Sequence, residues 1–81
     1  MLYPELANLL RRRLDLIADH NFRDSDEKAH LAELAQISNS IISWHETHRD
    51  YLPARLVHFL DNCSFDKALR FLESDGSWQG H

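Results

Sequence analysis

The sequence holds one cysteine, two prolines and two glycines, and no long apolar run. Its single thiol, Cys63, cannot close an intrachain disulfide, so the framework that stabilises most small secreted domains is missing. Both glycines, Gly76 and Gly80, fall in the last few residues, which leaves the stretch between Pro4 and Pro53 without a strong backbone breaker. Nothing approaches the roughly 20 apolar residues of a membrane span. The start, Met1-Leu2-Tyr3-Pro4-Glu5, runs on to Arg11-Arg12-Arg13 with no continuous apolar stretch of signal-peptide length. A cytoplasmic location is the expectation, with no membrane among the partners. Basic charge is scarce too: 9 Lys and Arg stand against 13 Asp and Glu, a net charge of -4 with histidines neutral. Binding to nucleic acid draws on counterion release at neutralised phosphates, which needs a basic surface, so the balance argues against that partner.

What the 81 residues do have is a hydrophobic fraction of 43%, enough to form a core rather than a disordered chain. A domain this small buries a modest share of its surface, and self-association would relieve its marginal stability. The six histidines can cancel the negative charge in mildly acidic solution, in line with a sequence pI of about 5.8.

No segment alternates with the period of a strand; helical spacing prevails throughout. Pro4 suits the first position of a helix, where its missing N–H costs nothing. Leu6, Leu10, Leu14 and Ile17 then fall within about 80° on a wheel of 100° per residue, and Leu9 and Leu16 widen that arc to roughly 160°. Asn21 is the expected left-handed terminator. Asp24-Ser25-Asp26-Glu27 reads as a capping box opening a second helix that runs to about Arg49. Leu31, Leu34, Ser38, Ile41, His45 and His48 form its inward stripe at heptad spacing. Lys28, Ala32, Gln36, Asn39 and Ser43 form its solvated face. Pro53 opens a third helix with Leu56, Phe59, Leu60 and Cys63 facing inward. Ser64 caps a short fourth one carrying Phe65, Ala68, Leu69, Phe71 and Leu72. The lengths predict an all-α fold: a small antiparallel helical bundle of three arms, the third broken into two short helices, four helices in all. Residues 1–73 make the single domain, and 74–81 form a flexible C-terminal tail in which Trp78 has the means to dock.

Chemistry is poorly provided for. In His45-Glu46-Thr47-His48 the histidines are three apart, one residue short of the zinc-protease spacing. His45 and His48 are the candidate metal ligands, yet a structural site needs four ligands and a catalytic one three. His48-Arg49-Asp50 matches the catalytic triplet of protein kinases, but an 81-residue, glycine-poor chain has no room for the phosphate loop and metal-binding parts. Cys63 beside Asp61 lacks the electropositive setting of a reactive thiol and reads as a small buried residue. Arg11, Arg12 and Arg13 point about 100° apart and do not make one patch. No cofactor, no small-molecule substrate and no enzyme activity are expected.

The informative feature is an apolar arc wider than three arms can cover. Leu9, Arg13, Leu16 and His20 form a second stripe on the first helix, and Ile37 and Trp44 flank the stripe of the second. These six residues are the candidate interaction surface, since arginine and tryptophan are enriched in such places. The functional expectation is a small helical protein-interaction or accessory module, acting by self-association as a homodimer or by binding another protein. The alternatives are a metal- or pH-responsive regulator using His45 and His48, and a nucleic-acid-binding regulator.

Overall fold

The computed structural model describes residues 2–78. Five α-helices follow one another: α1 (Pro4–Ala18), α2 (His20–Ser25), α3 (Glu27–His48), α4 (Ala54–Asp61) and α5 (Phe65–Glu73), with a 3-10 turn at Arg49–Tyr51 before α4. Among the described residues there is no strand, so the chain is an all-α bundle whose third arm is broken into α4 and α5.

The helix boundaries follow from local chemistry. Pro4 opens α1, as its fixed φ and missing donor allow. The helix stops at Ala18, short of Asn21, because Asp19 intervenes: its carboxylate accepts from the Phe22 N–H at 3.1 Å and opens the short α2. The cap of α3 is Asp26 rather than Asp24, accepting from the Ala29 N–H at 3.0 Å. Ser64 occupies the first position before α5, but its hydroxyl makes no capping bond.

Helix α4 ends in a Schellman turn. The Ser64 N–H donates to the Phe59 carbonyl at 2.8 Å and the Cys63 N–H to the Leu60 carbonyl at 3.1 Å. This places Cys63 at the left-handed position, φ 54°, with its side chain exposed rather than turned inward. Helix α5 closes the same way: the Gly76 N–H donates to the Phe71 carbonyl at 2.8 Å and the Asp75 N–H to that of Leu72 at 3.1 Å. Gly76 has φ 85°, where a side chain is strained, and sits against Leu2 and Phe71. The turn carries Trp78 back onto the bundle, its ring 6.0 Å from that of Phe59. Within the segment 74–81 read as a tail, 79–81 lie outside the described residues.

Helix α1 is the centre of the molecule, since both α3 and α5 pack on it. Leu6, Ala7 and Leu10 of α1 meet Ile41 of α3, Leu56, Phe59 and Leu60 of α4, and Phe65, Ala68, Leu69, Phe71 and Leu72 of α5 in one buried cluster. That two-sided cover accounts for the wide apolar arc of α1. Helix α3 gives this cluster one fully buried residue, Ile41, near its C-terminal half. Its other buried residues are His30, Ile37 and His45. Leu31, placed in the inward stripe by its spacing, is 59% exposed, and Ile17 of α1 is 42% exposed. The reason is reach: at 1.5 Å per residue α3 is about 33 Å long, whereas α4 and α5 are about 12 and 13 Å, with α5 resting on α1 and α4 on α5.

Candidate functional site

The two histidines expected as metal ligands are engaged differently. His45 is buried, and its Nε2, which has no hydrogen-bond partner, lies 3.7 Å from Asp61 Oδ1 at the end of α4. Asp61 in turn accepts both arms of Arg49, at 3.1 and 2.9 Å. His48 donates from Nδ1 to the Trp44 carbonyl at 2.8 Å, and its ring stacks on Trp44 with centroids 4.1 Å apart. Among the described residues no three His, Cys, Asp or Glu side chains gather as a metal site would require.

The stripe Leu9, Arg13, Leu16, His20, Ile37 and Trp44 is only partly open. Leu16 and Ile37 are buried by the chain itself, which corrects the expectation that a partner is needed to cover them: α3 shields this side of α1. Leu9, Arg13 and Trp44 are half-buried and His20 is exposed. The Arg13 guanidinium lies 4.7 Å above the Phe65 ring. A cation on an aromatic face keeps part of its favourable electrostatics there. With Arg11 paired to Glu73, two of the three consecutive arginines are occupied within the chain. Leu9, Trp44 and His48 border a shallow trough that also passes Gln36, Ser40 and Ser43 of α3. Tyr3 meets Trp44 edge to face at 5.6 Å.

A second groove lies at the far end, where α1, α2 and α3 converge. Ile17, Leu31 and Leu34 line it, with Arg23 and Glu27 at its rim and His30 in its floor. His30 is a residue that periodicity did not single out. Its Nε2 donates to the Leu16 carbonyl at 2.6 Å, and Phe22 packs edge-on against its ring. The bond gives the Leu16 carbonyl a second donor, beside the Asp19 N–H at 3.3 Å, where α1 ends. The available sequence signal is spacing: His30, Ile37 and Ile41 fall at i, i+7 and i+11, on one face of a helix.

The open apolar surface therefore lies elsewhere than on the stripe of α1. Ile17, Leu31 and Ile42, the last 47% exposed, are large aliphatic side chains left in contact with water. No helix among the described residues is long and apolar enough to cross a membrane. Comparison with protein-family models, with curated proteins and with solved structures gives no match.

Proposed function

We propose that this chain is a small helical interaction module that binds a protein surface through the layer formed by α1 and α3, without chemistry of its own. The observation that carries the reading is the exposure of Ile17, Leu31 and Ile42. Three aliphatic side chains in water on one layer of so small a domain are a cost that a bound surface removes. Arg23 and Glu27 beside the groove supply the polar rim that surrounds the apolar centre of protein interfaces. Leu9 and Trp44, half-buried along the neighbouring trough, extend the same layer, and Trp is among the residues that anchor such contacts.

Site-directed photocross-linking tests it. A benzophenone side chain at Leu31 or Ile17 should yield discrete protein adducts in extracts of the source cell, and the same group at Lys67 on α5 should not. Adducts that form equally at all three positions, or at none, would overturn the reading.

A further inference from the structure

The outward face of α3 carries a second heptad pattern, distinct from the buried one. Lys28, Ala32, Ala35, Asn39, Ile42 and Glu46 follow one another at spacings of 4, 3, 4, 3 and 4, which aligns them along one side of a helix. All six are exposed. Residues 34–45 contain no Asp, Glu, Lys or Arg, in a chain of which 27% is charged. Charge depletion of this kind marks the centre of protein interfaces.

The geometry points to a second copy of this chain as the occupant, docked with the two α3 helices antiparallel. This rests on the interaction-module reading and names its partner. The charges select the arrangement. About a two-fold axis near residue 37, Lys28 of one copy stands opposite Glu46 of the other, Ala32 opposite Ile42, and Ala35 opposite Asn39. Each layer joins the two kinds of heptad position, as antiparallel pairing requires, and both ends gain an ion pair. The parallel arrangement sets Lys28 against Lys28 and Glu46 against Glu46. Among the described residues neither Lys28 nor Glu46 makes an ion pair within the chain. Small side chains at Ala32 and Ala35 let the helix axes approach closely, and Ile42, held opposite Ala32, fills the space they leave. Asn39 is the kind of single polar seam residue that fixes register. Leu31 flanks the seam and gains cover. A two-fold contact is self-complementary in this way: residue i meets j and j meets i.

The seam is about 27 Å long at 1.5 Å per residue, short of the area of a standard interface, so dissociation at about 1–100 μM is expected. Sedimentation equilibrium of the full chain in low salt, from about 10 to 500 μM, should show a mass rising from 9.5 kDa towards twice that value. Glu46→Lys or Lys28→Glu alone should weaken association by about tenfold, since each breaks two pairs and adds repulsion. The double exchange Lys28→Glu with Glu46→Lys should restore it. These sites are exposed, and circular dichroism should confirm that each variant keeps its helix content. A monomer at every concentration would overturn the inference, as would failure of the double exchange to restore association. A dimer blind to both charges but lost in Ile17→Asp would also overturn this seam, while leaving the interaction-module reading in place. Adducts from Leu31 to a different protein, formed by a chain that stays monomeric, would do the same.

Discussion

Truncating two aliphatic residues of α3 to alanine separates its covered half from its open half. Ile41 is 1% exposed and sits in the cluster with Leu6, Leu10 and Leu56. Ile41→Ala removes buried methyl and methylene groups and leaves a void, a change that costs about 2–5 kcal/mol in well-packed cores. Alanine's better helix propensity returns only a few tenths of a kcal/mol. At about 0.05–0.15 kcal/mol per residue, 81 residues give a total stability of roughly 4–12 kcal/mol, so this one change removes a large share. The melting temperature should fall by at least about 10 °C. Leu31→Ala is the control on the same helix. With 59% of the residue already in water, the remaining burial is worth about 1 kcal/mol or less, and no cavity forms. Both variants should be unfolded in urea at low micromolar concentration, where association contributes little, and followed by circular dichroism. The unfolding free energies should separate by more than about 1 kcal/mol at unchanged m. Equal losses would mean that the third arm covers α3 along its whole length, and the account of Leu31 would fail.

Asp26→Ala should cost about 0.5–2 kcal/mol through loss of the bond to the Ala29 N–H, while Asp24→Ala changes stability by less than about 0.5 kcal/mol; the reverse order in denaturant unfolding would return the cap of α3 to Asp24. Cys63→Gly should stabilise by about 0.5–1 kcal/mol, since the strain of a left-handed residue with a β-carbon exceeds the entropy that glycine loses on folding, and a lower melting temperature would refute this. The Cys63 thiol should react fully with a disulfide reagent in the native protein, at a rate that denaturant raises only modestly. Reaction that waits for unfolding would place it inside.

The helical class and most boundaries were readable because their causes are local. Pro4, the unbroken stretch to Leu52, and the turn before Ser64 act within a few residues of themselves. Two errors share another origin. Asp24 and Asp26 are both acceptable caps by residue type, and it is the Asp19 bond to the Phe22 N–H and the Asp26 bond to the Ala29 N–H that set off α2 and start α3. The second error concerns faces. A seven-residue repeat drifts about 20° per heptad on a straight helix, so the stripe that begins at Leu31 does not follow the face that begins at His30. Which part of that face is covered depends on where α4 and α5 come to rest, and no periodicity within α3 carries that information. The same limit governed the candidate surface. Excess apolar arc was visible, but the centrality of α1 buried Leu16 and Ile37 and moved the open surface to Ile17, Leu31 and Ile42. His45 was correctly placed inward; its approach to Asp61 belongs to the tertiary fold.

The Leu2 N–H donates to the Leu72 carbonyl at 3.2 Å, and Gly76 rests against the Leu2 side chain. The beginning and the close of the described chain thus stand side by side. A short glycine–serine bridge between them, with a new opening cut in the 50–52 connection, would reorder the helices in sequence without altering how they meet in space.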